Sequence, residues 1–481
     1  MRLPDRRRAG AAAGWFPFFL FATYLVAVPP TADDVWWRLH AGARILETGR
    51  VQDVNGWAYR DPNAAWVDHA AGHDVILAAT HRGAGLPGAV FLYALPLLWL
   101  AWGFGRPRKR VDWIWALTWP PLLAIHHALR PYVWSDALFF LAVLLATRWH
   151  ERDAPRWREA APLWGLFLLW GQLHGAVWPG LAFTLAFAAR WRALATGPAR
   201  ELLRLRWLAP LPILALANVH HGHGLALAWR YATGDFAWLG RLTEWQPAPP
   251  AVLVVAGVFA AGFVLACRSR RLPVGRWLPL IPLAIAGILQ VRHLPWLVVA
   301  ALALLGASDR EASKEKAGVP ASRTACKGGP LPAWIPGLAV VVLALTVAWR
   351  HAPRLADPRF YPAALYDGIE ATCRVDRPLR VFTLHAWGGS LAYRFGGRLA
   401  PFVDARNDCF SRETFERYHR ITRLEEGWHR LLWEDRPDAA ALPPGHPLVP
   451  ALLSRGWHRG VAAPDGVLLL APHRAGLCPG R

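Results

Sequence analysis

Charged residues are scarce in this sequence. Only 18% of its 481 residues are charged, against about 25% in an average soluble protein, which argues against an ordinary cytosolic enzyme. Acidic residues are the scarcer kind, since 54 Lys and Arg residues outnumber 33 Asp and Glu residues and give a net charge of +21. A chain this basic that is also 54% hydrophobic is typical of a membrane protein whose cations lie at the membrane surface.

Cysteine is scarce too, and no polar basic domain is evident. The five cysteines are scattered and form no CxxC motif, which argues against a structural zinc site or a disulfide framework. Nucleic acid is not an expected partner, because its binding needs a basic stripe on a polar domain. Tryptophan is abundant instead, with 29 residues, and it suits a protein with two membrane interfaces and membrane lipids as neighbours.

Apolar segments separated by short polar ones run along the first 350 residues and predict about eleven membrane spans. Several are shorter than the roughly 20 residues that a span requires, so their limits are approximate. The segments are 12–29, 87–104, 113–127, 133–147, 161–173, 175–189, 207–220, 250–267, 277–290, 293–307 and 332–349.

Lys and Arg are concentrated in alternate connections between these segments. The positive-inside rule then places the N-terminus in the cytoplasm, and an odd number of spans places the C-terminal tail outside. The basic connections, with four or five Lys or Arg residues each, are 1–11, 105–112, 148–161, 190–206, 268–276 and 308–330.

The fold class predicted from these patterns is mostly α. We expect a polytopic helical membrane domain at 1–350, with a first outer loop at 30–86, and an extracytoplasmic α/β domain at 351–481. The segment 71–83 is too short and too polar for a span, and we interpret it as a re-entrant or interfacial helix. The connector 308–330 is predicted to be flexible and cytoplasmic.

The tail from about residue 351 has the composition of a small soluble domain. Its short apolar runs predict strands at 380–384, 399–405 and 467–472, and the apolar spacing at 412–432 predicts a helix.

Polar residues follow the second of these strands, where ligand sites often lie. Asp404, Arg406 and Asp408 stand there, and a buried ion pair is the commoner explanation for such a group. Three cysteines share the outer, oxidising side, which permits one disulfide among Cys373, Cys409 and Cys478.

The first outer loop carries the most informative acidic residues. Asp33 and Asp34 directly precede a stretch with the apolar spacing of a helix on the membrane surface. A carboxylate at that depth is costly unless it is paired or functional. One of the two can accept a proton from an acceptor hydroxyl, and the other can cap the helix.

A second polar group in this loop contains Asp68, His69, His73 and Asp74. Its spacing suits either a divalent cation or the orientation of a substrate, and a solvated loop explains it equally well. Whether the protein binds a metal ion is therefore undecided from these residues.

Histidine and sparse arginine mark the outer ends of the predicted spans. Of the twelve histidines before residue 350, eleven lie at or near the outer side. Breaks between spans at His174 and at His220 and His221 are expected to line a cavity, because irregular backbone at membrane depth needs protein or water around it. Arg130, Arg292 and His293 are cations at outer span ends, which suits them equally for binding an anionic group or for reaching water.

The order and sidedness of these stretches resemble the GT-C class of polyprenyl-phosphate-sugar-dependent glycosyltransferases, and more closely a set of bacterial multi-pass members with an outer C-terminal domain. The resemblance covers nearly the whole chain. The matching stretches are DDVWWRLHAGARILETG at 33–49, AWVDH at 65–69, LRPYVWS at 129–135, LLWGQLHGAVWPG at 168–180, ANVHHGHG at 217–224, TEWQ at 243–246, RHLPW at 292–296, AWGGSLAYR at 386–394 and FVDARND at 402–408.

The resemblance implies an activity. A sugar would pass, with inversion, from a polyprenyl-phosphate carrier to an envelope glycan, lipid or protein acceptor at the outer leaflet of the bacterial cytoplasmic membrane. Asp34 matches the position of the catalytic carboxylate and would be the general base, with Asp33 beside it. Arg130, Arg292 and His293 would bind the donor phosphate.

Two departures from the family pattern keep alternatives open. Ala70 stands where an acidic residue is common, and Val219 to His221 replace the usual Pro-Tyr-Gly after Asn218, which leaves any metal dependence undecided. An inactive GT-C-like protein of envelope glycan assembly is therefore one alternative. A transporter of lipid-linked substrates is another, although it would need midplane polar groups and internal repeats.

Overall fold

The computed structural model describes residues 14–30, 34–104, 107, 109–220, 222–233, 245–317, 334–375, 377–474 and 476–478. Within this part the chain forms two compact units. The first comprises Met1–Pro30 and Phe91–Ala348, and the second comprises Thr31–Val90 and Trp349–Arg481. The structure thus groups the first outer loop with the C-terminal tail, whereas the sequence pattern placed that loop in the membrane domain.

Helices dominate the described chain, which confirms the mostly helical prediction. In chain order they are α1 (Phe16–Ala27), α2 (Val35–Thr48), α3 (Ala71–Gly103), α4 (Asp112–Leu123), α5 (Tyr132–His150), α6 (Trp157–Leu173), α7 (Val177–Ala188), α8 (Trp191–Thr196), α9 (Pro198–Leu205), α10 (Leu211–Leu216), α11 (Gly222–Thr233), α12 (Pro250–Ser269), α13 (Val274–Trp277), α14 (Leu280–Leu289), α15 (Leu294–Ala317), α16 (Trp334–His351), α17 (Ala363–Thr372), α18 (His385–Phe395), α19 (Arg412–Thr422), α20 (Trp428–Asp435) and α21 (Leu448–Leu453).

Five helical segments of the described residues are long and apolar enough to cross a membrane. They are Ala71–Gly103, Tyr132–His150, Pro250–Ser269, Val291–Asp309 and Gly337–Ala356. Shorter apolar helices accompany them at Phe16–Ala27, Val177–Ala188 and Val274–Leu289. The predicted apolar segments therefore correspond to helices, while the number of eleven spans and their orientation remain predictions.

The segment predicted as a separate helix at 71–83 is continuous with the next predicted span. Both lie in α3, which is interrupted at Gly85, where φ is +61° and ψ is −157°. Glycine adopts this left-handed conformation without the Cβ clash that other residues suffer. The interruption explains why the two halves have different sequence character.

The first unit is built from long apolar helices packed side by side. Helix α4 packs against α12, and α5 packs against both α7 and α15. Close approach of α4 and α12 requires a glycine, since a Cβ at Gly262 would lie 2.7 Å from Cγ2 of Ile114. An ion-pair group closes one end of this packing, because Arg270 binds Asp112 at 2.7 Å and Asp309 at 2.9 Å.

The second unit contains a five-stranded mixed sheet. Its strands are β1 (Leu379–Thr383), β2 (Leu399–Pro401), β3 (Ala439–Leu442), β4 (His458–Ala463) and β5 (Gly466–Leu470). The strand order is β2-β1-β3-β5-β4. Strand β1 runs parallel to β2 and β3, while β5 runs antiparallel to β3 and β4.

The sequence patterns predicted three of these five strands, and they predicted one helix that was too long. The predicted strands correspond to β1, β2 and β5, and β3 and β4 were missed. The predicted helix at 412–432 is two helices, α19 and α20. The chain turns between them through Leu424 and Gly427, whose φ angles are +56° and +76°.

The second unit also contains a disulfide and a buried helix. Cys373 bonds to Cys478, which decides among the three cysteines and leaves Cys409 as a buried thiol. Helix α2 was predicted to lie on a membrane surface, but its first two turns, from Val35 to Gly42, are buried. It packs against α18, where a Cβ at Gly389 would lie 2.9 Å from that of Trp37.

Candidate active site

Asp34 stands immediately before α2, as the helical spacing predicted. Its backbone carbonyl accepts a hydrogen bond from the amide of Arg38 at 3.3 Å, but its side chain makes no capping hydrogen bond. The carboxylate instead accepts a hydrogen bond from Nε1 of Trp37 at 3.2 Å, and its residue is 8% exposed. Asp34 is therefore not used as a helix cap, and Asp33 lies outside the described residues.

A buried ion pair lies one turn beyond Asp34. Arg38, 3% exposed, donates to both carboxylate oxygens of Asp74 at 3.0 and 3.3 Å. Nδ1 of His73 contacts the same carboxylate at 2.9 Å. Burial alone would lower the pKa of Arg38, but the negative charges of Asp74 and Asp34 raise it, so the guanidinium stays charged beside Asp34.

Asp68 lies close to this pair and differs from it chemically. Its Oδ1 accepts the amide of Ala70 at 3.2 Å, while its Oδ2 is buried and accepts no hydrogen bond from the described residues. Burial, followed by the charge of Asp74, raises the pKa of Asp68 well above its usual range. The neutral, proton-bearing form is favoured, and such a carboxyl can donate a hydrogen bond.

A second buried ion pair follows β2, where a ligand site or an ion pair was expected. Asp404 and Arg406 form it, with Nη2 of Arg406 2.7 Å from Oδ2 of Asp404 and neither side chain exposed. Arg406 also donates to the backbone oxygen of Asn55 at 2.9 Å and to its side chain at 2.6 Å. Although burial alone would raise the pKa of Asp404, the charge of Arg406 lowers it. The ion-pair interpretation is confirmed.

Aromatic rings of the first outer loop stack on this second pair. Nε1 of Trp57 donates to Asp404 at 2.8 Å. The guanidinium of Arg406 lies 3.4 Å from the ring centroid of Trp57 and 4.7 Å from that of Trp66. Cation–π contacts of a desolvated Arg stabilise by about 2 kcal/mol, so the pair also fixes these two rings.

Two further titratable groups belong to the same region. Burial raises the pKa of Asp408 to about 6. Burial, together with the charges of Arg44 and Arg406, lowers the pKa of His40 to about 4. Asp408 therefore titrates near neutral pH, whereas the His40 imidazole stays neutral there.

A divalent cation was one of the interpretations of the group formed by Asp68, His69, His73 and Asp74. Among the described residues, no group of three or more His, Cys, Asp and Glu side chains is placed to hold a metal ion. Asp74 instead binds both Arg38 and His73, and His69 is half-buried in the turn before α3.

The first unit has its own polar cluster, around Tyr132. His126 stacks on the Tyr132 ring at 5.0 Å, and its Nδ1 lies 2.8 Å from Oδ2 of Asp136. Its Nε2 lies 2.9 Å from the backbone oxygen of Arg292. Both neighbours of this imidazole are hydrogen-bond acceptors.

The predicted phosphate ligand Arg292 belongs to this cluster. Its guanidinium lies 5.4 Å from the Tyr132 ring centroid and 4.2 Å from that of Trp245. The predicted cavity residue His174 contacts the other side of the cluster, with its ring 5.2 Å from Tyr132 and its Nδ1 2.8 Å from Oγ of Ser135. Cationic and neutral polar groups thus converge on one tyrosine.

The remaining predicted residues lie beside this cluster or beyond the described chain. Arg130 is half-buried in the turn just before α5, two residues from Tyr132. His293 follows Arg292 and contacts Oε1 of Gln290 at 3.1 Å. His220 lies in a turn between α10 and α11, so the expected break is present, and His221 lies outside the described residues.

Sequence reasoning missed several residues of these clusters, among them Asp136, Arg38 and Asn55, and the first two of these left a signal. Asp136 is a carboxylate inside the apolar stretch YVWSDALFF, where an unpaired charge is costly. Arg38 interrupts the apolar face of α2 in the same way. Asn55 left no such signal in the sequence, because its partner Arg406 lies 351 positions away.

The fold described above, apolar helices followed by a mixed-sheet tail, is similar to that of solved structures. The chain is similar to the crystal structure of ArnT from Cupriavidus metallidurans in the apo state, with 14% identity and a TM-score of 0.50 over 98% of this chain and 100% of that one. At this identity the likeness shows a shared fold. The GT-C resemblance is thereby confirmed as a resemblance of fold.

Two further structures were compared. ArnT from the same organism bound to undecaprenyl phosphate gives 13% identity and a TM-score of 0.49 over 98% of each chain. The oligosaccharyltransferase AglB from Archaeoglobus fulgidus was solved in complex with an inhibitory peptide and a dolichol-phosphate. It has 10% identity to this chain and a TM-score of 0.49, over 89% of this chain and 69% of that one. No family model matches the sequence, and no curated protein is significantly similar to it.

Proposed function

We propose that this protein transfers a sugar, with inversion, from a polyprenyl-phosphate carrier to an envelope acceptor at the outer leaflet of the bacterial cytoplasmic membrane. The GT-C fold supports glycosyl transfer as the reaction class. The observation that carries the proposal is Asp34, a carboxylate at the start of α2 that makes no capping hydrogen bond.

Asp34 is proposed to act as the general base. As the acceptor hydroxyl attacks the anomeric carbon, the bond to the carrier phosphate breaks and Asp34 takes the hydroxyl proton. Trp37 holds one oxygen of the carboxylate. Arg38 is held by Asp74, and its positive charge lies near Asp34.

The cluster around Tyr132 is proposed to bind the donor phosphate, through Arg292, with Arg130 and His293 beside it. The leaving group carries negative charge, and a guanidinium binds phosphate oxygens through two parallel hydrogen bonds. The contacts of Arg292 with two aromatic rings fix its guanidinium before the ligand arrives, which reduces the entropy lost on binding.

A labelled-lipid transfer assay tests the reaction class. The purified full-length protein is mixed with a panel of polyprenyl-phosphate sugars carrying radiolabelled sugar and with an envelope extract as acceptor. Transfer of label to the extract with release of polyprenyl phosphate is expected. If no donor of the panel is consumed, while the protein still binds the lipids, an inactive assembly protein becomes the better account. Movement of intact donor across vesicle membranes would instead support a transporter.

A further inference from the structure

The second unit contains a cavity that the general base and the phosphate cluster do not use. Its volume is about 530 Å³, within the range of small-ligand sites. Its walls come from the C-terminal half of α2, the segment 50–58, and residues beside β1 and β2. Both chain segments of the second unit, Thr31–Val90 and Trp349–Arg481, therefore contribute residues to the cavity.

The rim of this cavity is basic. Arg44 on α2 and Arg50 just after it both line the opening and are exposed. Neither guanidinium forms an ion pair with a carboxylate of the described residues, unlike the exposed Arg82, which binds Glu47 at 3.0 Å. Two arginines that line the same cavity and form no ion pair with the described carboxylates provide a place for an anionic group.

The floor of the cavity presents hydrogen-bonding groups that the protein leaves unused. Oδ2 of Asp68 and Oε1 of Gln52 are both buried and accept no hydrogen bond from the described residues, and both residues line the cavity. A buried polar atom without a partner costs about 1–3 kcal/mol. Ligand hydroxyl groups would remove that cost.

The remaining wall is aromatic and rigid. Trp57 and Trp66 line the cavity and are fixed by the guanidinium of Arg406. Gly56 keeps the neighbouring space open, because its φ is +69° and a Cβ there would lie 1.8 Å from Nε2 of Gln52. Aromatic rings beside hydroxyl-binding groups suit a ring that has apolar C–H faces and polar edges.

We infer that this cavity binds a sugar unit that carries an anionic group, a carboxylate or a phosphate, with the anion at Arg44 and Arg50 and the hydroxyl groups at Gln52 and Asp68. The inference rests on the proposed function in taking the ligand to be a glycan substrate of that transfer. A protonated Asp68 is compatible with an anionic ligand, since it adds a donor and no negative charge.

Binding of defined sugars to the full-length protein in nanodiscs tests the inference without turnover. The probes are a galacturonic acid trisaccharide, glucose 1-phosphate and the neutral maltotriose, followed by saturation-transfer NMR titration. We expect at least one anionic probe to bind at least 10-fold more tightly than maltotriose. Which of the two binds distinguishes an acidic glycan from a sugar phosphate.

Matched variants locate the binding. Arg44→Ala and Arg50→Ala should each weaken the anionic probe about 10-fold and leave maltotriose unchanged, whereas Gln52→Ala should weaken all probes. Arg459→Ala, an exposed arginine on β4 that does not line the cavity, is the control and should change nothing.

Three results would overturn the inference: no anionic probe binds, maltotriose binds equally well, or Arg459→Ala has the same effect as the rim variants. If the protein transfers sugar but binds no probe, the inference about the cavity is wrong and the proposed reaction stands. If the protein binds the anionic probe but transfers no sugar, the proposed reaction is wrong and the binding of an anionic sugar in the cavity stands.

Discussion

The two compact units bury polar groups in different ways. In the first unit, Arg270 binds Asp112 and Asp309 at one end of the helix packing, and His126 contacts Asp136 only ten positions away. In the second unit, buried guanidinium groups join distant segments, as Arg406 does with Asn55 and Arg38 with Asp74 across 36 positions. The helices of the first unit are held mainly by apolar packing, whereas the second unit depends on specific ion pairs.

This difference helps to distinguish polar residues that stabilise the fold from polar residues that are proposed to take part in the reaction. In the first unit, Arg270 holds helices together, whereas the groups around Tyr132 are proposed to bind a ligand. In the second unit most buried charges have structural partners. Asp34 differs from them in its position, because it directly precedes α2 without capping it and lies near the charge of Arg38.

The largest expected effect is the loss of Arg406. Arg406→Ala leaves Asp404 buried without its counter-ion, and breaking a buried pair in this way costs about 3–5 kcal/mol. We expect this loss in urea unfolding followed by tryptophan fluorescence. In the first unit, Asp136→Asn should cost less, about 1–3 kcal/mol, because the amide oxygen still accepts from His126.

The matched control for Arg406 is Arg459→Ala, since both residues are arginines of the second unit and Arg459 is exposed. Its effect should stay within about 0.5 kcal/mol. Equal losses for Arg406→Ala and Asp136→Asn would contradict the contrast between the units.

The next effect is a pH dependence of the second unit. The pKa of His40 is lowered to about 4 in the folded protein, against about 6.5 in an unfolded chain. Between these values the unfolded state binds more protons, so stability rises with pH. Lowering the pH from 7 to 5 should therefore cost up to about 2 kcal/mol through His40.

His40→Gln isolates this contribution, because the other titrating groups are the same in both proteins. Asp408, whose pKa is raised to about 6, acts in the opposite direction in both. The measurement is urea unfolding of the two proteins at pH 5 and pH 7. An unchanged difference in stability between them at the two pH values would show that His40 is protonated as easily in the folded protein as in the unfolded chain.

The smallest of these effects concerns the first unit. Arg292→Lys keeps the charge but loses the planar group that lies on Tyr132 and Trp245 and that binds phosphate through two hydrogen bonds. We expect KM for the lipid donor to rise about 10-fold, equivalent to about 1.4 kcal/mol, with little change in unfolding. A large loss of stability instead would make Arg292 a structural residue.

Much of the fold follows from local patterns, and the exceptions have physical reasons. Helix positions in the first unit follow apolar composition, and β1, β2 and β5 follow short apolar runs. Strand β3 was missed because Ala439–Leu442 contains three alanines and no β-branched residue, although such residues favour strands. The break before α20 had a local signal in Gly427, whose left-handed conformation ends helices.

The candidate site was only partly predictable. Asp34, Arg292 and His174 became candidates because charged or polar residues beside apolar segments are unusual. The partners that define their environment lie far away in sequence, and no periodicity connects Arg38 with Asp74 or Asn55 with Arg406. Burial, which sets the pKa of Asp68, is likewise a property of the folded unit.

The central claim is that Asp34 is the general base, and the transfer rate of Asp34→Asn tests it most directly. Asn keeps the shape of the side chain and still accepts from Trp37, but it cannot take a proton. The account predicts normal folding and lipid binding with turnover reduced about 100-fold or more, while the control Asp33→Asn is much milder. Full activity in both variants would contradict the claim, and loss of activity in Asp33→Asn alone would assign the role to the neighbouring carboxylate.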